Sequence, residues 1–229
     1  MKKIFFTLSA LLLFMVAFSQ PISKITISNN GNMESIGFEV ETNVMLNISA
    51  YGHILNWGWD VYKDRGGENY TGELQNYVGR VEYYTINDNE AFRGKIRTIG
   101  RTTLTYYASY EGDEFIGKIK SIGNNNIQYY FNYDNEAFKG KIKSIGSHSV
   151  TWNASYTNEG SRGKLKSLGS TQFEYFNASD DKAFKGKIKS INGFAYSYYS
   201  SFDRQEYRGS MKTGMQLQFI NGIKYFVKN

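Results

Sequence analysis

The chain repeats one short pattern of apolar and polar positions every 23 residues. The pattern reads glycine, basic, aliphatic, basic, Ser or Thr, aliphatic, with an aromatic residue two positions before the glycine in every repeat except the one with Ser161. A fixed period of this length indicates one supersecondary unit used many times. The copies are GKIRTIG (94–100), GKIKSIG (117–123), GKIKSIG (140–146), GKLKSLG (163–169), GKIKSIN (186–192) and GSMKTGM (209–215), and a divergent copy, GELQNYV, begins at Gly72.

Each repeat is predicted to form one β-hairpin. The first strand is expected to start at the aromatic residue, and strand alternation then places the aromatic, the glycine, the aliphatic residue and the Ser or Thr on one face, with the lysines on the other. A second strand follows, as in IQYYFNY (127–133), and a turn rich in Asp, Asn, Gly and Glu leads to the next repeat. This division leaves about seven residues for each strand.

The repeats therefore predict an all-β fold, an elongated antiparallel meander of 23-residue β-hairpins. About twelve to fourteen strands are expected from the array, so the sheet should be strongly twisted or curled. The array covers 67–215 and is flanked by an N-terminal β capping region (20–66) and a C-terminal capping hairpin (216–229). KITIS, NVMLNIS and the Trp57–Trp59 region are expected to be strands, and Asn221-Gly222 predicts a two-residue hairpin turn.

The N-terminus predicts export. Lys2 and Lys3 precede an apolar run, and Ala17 and Ser19 stand at the −3 and −1 positions of a cleavage site before Gln20, so residues 1–19 are interpreted as a signal peptide. The apolar run is shorter than the roughly 20 residues of a membrane-spanning helix, and no transmembrane segment is expected after signal removal. The expected location is periplasmic, cell-surface or extracellular. The chain has no cysteine, which excludes disulfides and thiolate metal sites.

The order aromatic-x-Gly-x-aliphatic, as in FRGKI (92–96) and FKGKI (138–142), resembles the MORN repeat. MORN units are also short β-hairpins that stack into an elongated sheet. The likeness covers the first strand of each unit, because the second strand here carries Tyr, Phe, Asn and Ala where MORN units usually carry further glycines. The resemblance implies a scaffold or binding role rather than an enzymatic activity.

Basic residues recur in two columns, and the chain has a net charge of +6. Both columns are expected on one face, with neighbouring repeats about 10 Å apart. Such a face predicts a partner that is a polyanion, such as an acidic glycan, lipopolysaccharide phosphates or nucleic acid. The alternative is a solvated face that keeps an exposed sheet soluble. The first column is Lys95, Lys118, Lys141, Lys164 and Lys187, and the second is Arg97, Lys120, Lys143, Lys166, Lys189 and Lys212.

Aromatic residues in the second strands are further candidates for ligand binding. Strand parity places Tyr107, Tyr130, Phe176 and Tyr199 between the basic columns, where they could stack on sugar rings or bases. The alternative is that they pack across strands. Their expected partners in that case are Ile99, Ile122, Ile145 and Leu168.

Catalysis and metal binding find little support in the sequence. Glu90, Asp113, Glu136 and Glu159 lack the spacing of a calcium loop and are interpreted as turn residues. The two histidines, His53 and His148, belong to no catalytic motif. No catalytic residue, metal or cofactor is therefore expected, although a grafted site would be expected at the break in the repeat near Ser161, where His148, Trp152 and Arg162 also lie.

These observations predict an exported, non-enzymatic repeat protein that acts as a binding or scaffold surface. An envelope or extracellular polyanion is the first candidate partner. A structural scaffold for protein–protein interaction is the alternative. An outer-membrane barrel and an enzyme are less favoured, because the strands look short for a barrel and no catalytic motif occurs.

Overall fold

The computed structural model describes residues 22–61 and 70–228, and β-strands dominate them. A 3₁₀ turn at Glu90–Phe92 is the helical element of this part of the chain. No helix within these residues is long and apolar enough to cross a membrane. The predicted signal peptide and the predicted boundary at residue 66 lie outside the described residues.

Five strands come before the regular repeats. They form consecutive antiparallel pairs, and they cover most of the predicted strand segments KITIS and NVMLNIS and all of Trp57–Trp59. Their bounds are β1 (Ile22–Ile27), β2 (Met33–Glu41), β3 (Val44–Ile48), β4 (Ile54–Asp60) and β5 (Leu74–Gln75). The divergent copy at Gly72 supplies β5 and therefore belongs to this N-terminal group rather than to the repeat sheet.

The repeats form an open eleven-stranded antiparallel sheet in which every strand pairs with its neighbours in sequence. The predicted all-β meander of hairpins is confirmed. The strands are β6 (Val81–Tyr83), β7 (Ile96–Ile99), β8 (Thr102–Tyr106), β9 (Ile119–Ile122), β10 (Asn125–Tyr129), β11 (Ile142–Ile145), β12 (His148–Trp152), β13 (Leu165–Leu168), β14 (Thr171–Tyr175), β15 (Ile188–Ile191) and β16 (Phe194–Ala195). β17 (Ser197–Tyr198) and β18 (Met211–Thr213) form a separate pair.

The strands begin later than predicted. In each repeat the glycine and the residue two positions before it, which is aromatic except at Ser161, belong to a turn, and the strand starts at the aliphatic residue that follows. Gly117 shows the reason, because its φ of +69° belongs to a turn and an added Cβ would lie 2.7 Å from the Ala91 carbonyl oxygen of the preceding repeat. The strands from β7 to β15 contain four or five residues and are therefore shorter than the predicted seven.

A β-bulge where most neighbouring repeats pair decides which side chains face outward. Tyr106 is paired with Ile119, but Thr105 is paired with Ser121, so Lys120 is an extra residue in its strand. The bulge lets Ile119 and Ile122 both point into the core, three positions apart, and turns the two residues between them outward. The predicted shared face of the aliphatic residue and the Ser or Thr is therefore wrong.

The first and last strands of the described residues share one sheet. β19 (Leu217–Ile220) and β20 (Ile223–Val227) form the predicted hairpin around Asn221-Gly222, and β20 pairs in parallel with β1 to give a seven-stranded sheet. The regions predicted as separate caps are thus hydrogen-bonded to each other.

This sheet packs on one face of the repeat sheet, and the core lies between them. Fully buried side chains come from both layers, among them Phe38 and Leu46 from one and Ile99 and Leu104 from the other. The layers are also joined by hydrogen bonds, since the Ile142 amide donates to the Ala50 carbonyl at 2.8 Å. One face of the array is therefore covered and the other faces solvent.

A buried polar network ties β1, β4 and β20 together. The Lys24 ammonium donates to the Tyr70 hydroxyl at 2.7 Å, and that hydroxyl donates to Asp60 Oδ1 at 2.7 Å. Lys224 lies 3.5 Å from the other Asp60 oxygen. Burial lowers the pKa of Lys24, while the attraction of Asp60 opposes that shift.

Candidate functional site

The first lysine column connects the repeats. Each ammonium from Lys95 to Lys164 donates to the carbonyl of the glycine that begins the next repeat, at 2.7 Å for Lys95, 2.9 Å for Lys118 and 2.6 Å for Lys141. The ammonium also lies over a core-facing ring, as for Lys118 at 4.8 Å from the Tyr129 centroid. The prediction that both columns share one solvent face is therefore wrong.

Turns of the seven-stranded sheet cover much of this column. Lys164 donates to the Asn30 carbonyl at 2.7 Å, Lys187 donates to the Asn29 side chain, and the Tyr51 ring lies 6.0 Å from the Lys141 ammonium. Burial lowers the pKa of all five lysines, and it lowers the pKa of Lys164 to about 8. The Lys164 ammonium already has two carbonyl acceptors and therefore gains little from an added anion.

The second cation column lies on the solvent face. Its members stand at the bulge or at the equivalent position, and all are exposed except the half-exposed Lys120. Of the six, Lys120 alone has an ion pair within the described part of the chain, with Glu111. Several of the cations rest on an outer ring, with Arg97 5.7 Å from the Tyr84 centroid and Lys143 5.6 Å from that of Tyr130.

The predicted aromatic candidates are half-buried, and Tyr107, Tyr130 and Phe176 pack against the hydrophobic core. Their ring contacts include the aromatic residues of the repeat pattern, and the expected partners Ile99, Ile122, Ile145 and Leu168 belong to the core cluster against which three of the four pack. The Tyr107 hydroxyl donates to the Ile127 carbonyl at 2.9 Å, and the Tyr130 hydroxyl donates to the Val150 carbonyl at 3.2 Å. The ring pairs are Tyr107–Phe115, Tyr130–Phe138, Phe176–Phe184 and Tyr199–Tyr207.

Another set of aromatic side chains, the exposed aromatic row, lies almost entirely in solvent and was not among the candidates predicted from the sequence. Tyr110, Tyr133, Tyr156 and Phe202 are 84%, 81%, 87% and 94% exposed. They occupy one position of the repeat, at intervals of 23 residues with Ser179 between the last two, so the period itself could have identified them. Tyr110 stands beside Glu111, which pairs with Lys120, so the row runs alongside the second cation column.

Hydroxyl groups line the solvent face between the cations. Thr105 and Ser121 share a hydrogen bond of 2.6 Å across neighbouring strands, and Ser197 and Thr213 repeat it at 2.6 Å. These pairs follow from the bulge, which turns the Ser or Thr away from the core, although the equivalent Ser167 and Ser190 are buried. The face thus carries cations, hydroxyls and, along one side, exposed rings.

The acidic residues near the turns have structural partners. The Asp88 and Asp134 carboxylates accept hydrogen bonds of 2.6 Å from the Thr85 and Phe131 amides, which close turns at equivalent positions. Glu159 pairs with Lys185 at 3.0 Å. Within residues 22–61 and 70–228, no three His, Asp or Glu side chains are grouped so that they could hold a metal ion.

The break in the repeat replaces an aromatic pair. Asn153 and Ser161 stand where other repeats have pairs such as Tyr130 and Phe138. Trp152 keeps a structural role, because its indole N–H donates to the Ile142 carbonyl at 2.8 Å, as the Tyr129 hydroxyl does to Ile119 at 2.7 Å. No catalytic arrangement of side chains is evident at the break in the described residues.

Comparison of the chain with protein-family models, with curated proteins and with solved structures found no match.

Proposed function

We propose that the mature protein is exported and acts as a non-enzymatic binding surface for an extended acidic polysaccharide. The observation that carries the proposal is the second cation column, whose side chains project from one solvent face at regular intervals. Successive cations lie two strands apart, which is about 10 Å, so the stretch from Arg97 to Lys189 spans about 40 Å. A chain with regularly spaced carboxylates or sulfates could contact several of these cations at once.

The surroundings of the cations favour a sugar polymer. The hydroxyl pairs Thr105–Ser121 and Ser197–Thr213 can both donate to and accept from sugar hydroxyls. The tyrosine rings of the exposed aromatic row can stack on the apolar faces of sugar rings. The spacing of the repeats is close to the length of two residues in an extended polysaccharide chain.

The test is binding of the mature protein to uronic-acid, sulfated and neutral glycans and to DNA, at low and high salt. We expect binding to acidic glycans that weakens as salt rises. The variant with Lys143, Lys166 and Lys189 changed to Gln should bind about tenfold more weakly or worse, with a shallower salt dependence.

The matched control changes three exposed cations outside the column to Gln, so that it alters the net charge by the same amount. These cations are Lys139, Arg162 and Lys182. An equal loss of glycan affinity in both triple variants would show that only net charge determines binding, and it would contradict a role for the column. Binding to neutral glycans with an affinity that does not change with salt concentration would contradict the electrostatic proposal. Tighter binding to DNA than to any acidic glycan would replace the proposed polymer with nucleic acid.

A protein-interaction scaffold is the second candidate, and the exposed aromatic row favours it. Contiguous exposed apolar groups often mark interaction surfaces, and this row is at least 81% exposed at each member. A protein partner held by these rings should stay bound at high salt. Its loss in a variant with Tyr110, Tyr156 and Phe202 changed to Ala would support this function.

A further inference from the structure

One lysine of the first column borders an open cleft between the two sheets. The cleft of about 410 Å³ is lined by residues of both layers, including Trp57 and His53 from the seven-stranded sheet and Tyr83, Tyr106 and Lys95 from the repeats. Its size falls in the usual range for small-molecule sites. Three glycines also line it and leave room around the lysine.

Comparison with Lys164 shows that the Lys95 ammonium has fewer acceptors, as do those of Lys118 and Lys141, which do not line the cleft. Lys164 donates to the glycine carbonyl of the next repeat and also to the Asn30 carbonyl of the turn that lies over it. Lys95 makes the same bond to Gly117 at 2.7 Å, and this is its one hydrogen bond in the described part of the chain. An ammonium has three donors, so Lys95 has capacity to bind a further acceptor.

The electrostatics of the cleft suit an anion. No Asp or Glu is among its described lining residues, and burial alone lowers the pKa of Lys95. A ligand carboxylate would supply a charged acceptor to an ammonium that has already lost part of its hydration.

The aromatic rings that line the cleft also limit which ligands it can bind. Trp57 is half-buried and Tyr83 is 50% exposed, so both offer aromatic surface to a ligand within reach of Lys95. Stacking on such rings selects a ligand with a flat or ring-shaped apolar face.

We propose that this cleft binds a single sugar acid, with the ligand carboxylate on the Lys95 ammonium and the sugar ring against Trp57 and Tyr83. The site is separate from the second cation column. It adds recognition of one acidic sugar residue to the proposed polymer-binding surface, but it does not depend on that surface.

The experiment compares glucuronic acid with glucose by ligand-observed and protein-observed NMR titration of the full mature chain. The two probes share a ring and differ in the carboxylate. We expect glucuronic acid to bind about tenfold more tightly than glucose, and the Lys95→Met and Trp57→Ala variants each to weaken it about tenfold. Tyr83→Ala, at an exposed ring, tests the site without a large change to the core.

Lys118→Met is the matched control, because it removes the same type of lysine from the next repeat and does not line the cleft. It should leave glucuronic acid binding unchanged. Binding of glucose as tight as that of glucuronic acid would overturn the carboxylate assignment, and binding of acetate as tight as that of glucuronic acid would overturn the role of the rings. Full binding in both Trp57→Ala and Tyr83→Ala would overturn the site.

The proposed function can fail independently of this site. The variant with Lys143, Lys166 and Lys189 changed to Gln should retain glucuronic acid binding. If the wild-type protein binds glucuronic acid but no acidic polymer, the cleft would remain supported as a binding site. The extended cation surface would then have no support.

Discussion

The two basic columns have the same chemistry and nearly the same sequence position, but opposite surroundings. Lys118 is half-buried, donates to the Gly140 carbonyl at 2.9 Å and lies over a core ring, whereas Lys143 is exposed on the solvent face. A glycine turn before the strand directs the first lysine toward the next repeat, and the bulge within the strand directs the second outward. Backbone geometry thus separates a structural column from a surface column.

The largest expected effect follows from breaking the structural column. The double variant Lys118→Met, Lys141→Met removes two hydrogen bonds between repeats and leaves the carbonyls of Gly140 and Gly163 without these donors. The cost should be about 1–2 kcal/mol for each site, which lowers the melting temperature by roughly 4–16 °C in total for a chain of this size. Thermal unfolding followed by circular dichroism measures this change in melting temperature.

The matched control for stability is Lys166→Met, Lys189→Met, which changes two exposed members of the surface column. Its unfolding free energy should stay within about 0.5 kcal/mol of the wild type for each site. Equal destabilisation of the two double variants would contradict the division into a structural and a surface column.

The sequence predicted the fold class and the period well, because apolar repetition and glycine spacing depend on local chemistry. It did not predict the bulge, since strict alternation places Ile119 and Ser121 on the same face whereas the extra residue Lys120 separates them. The sequence also could not predict that turns of the other sheet cover the first column. Asn30 and Lys164 come into contact only when the two sheets pack together. The exposed aromatic row, by contrast, was accessible from the 23-residue period alone.

A smaller effect should appear when pH is varied. The pKa of Lys164 is lowered to about 8, so between pH 8 and the ordinary lysine value of 10.5 the unfolded chain holds more protons than the folded one, and stability should rise with pH. Burial raises the pKa of Tyr198 from 10.0 to about 12 and also raises that of Tyr129. Above the ordinary tyrosine value of 10.0 the unfolded tyrosines ionise first, so stability should fall again.

Melting temperatures measured across this range should therefore pass through a maximum at about pH 10. The Lys164→Met variant should show a smaller rise on the acidic side of the maximum, because it lacks the lysine with the pKa near 8. A monotonic fall in stability from about neutral pH upward would contradict the desolvated state of the structural column.

The smallest effect on stability should come from the exposed aromatic row. Tyr110 and Tyr156 are 84% and 87% exposed, so the Tyr110→Ala, Tyr156→Ala variant should unfold within about 0.5 kcal/mol of the wild type for each site. If the rings stack on sugars beside the cations, the same variant should bind acidic glycans severalfold more weakly, while Tyr110→Phe, Tyr156→Phe keeps the ring faces and retains binding. Loss of binding in the Phe variant as well would assign the contribution to the phenolic hydroxyls, and full binding in the Ala variant would restrict recognition to the cation column.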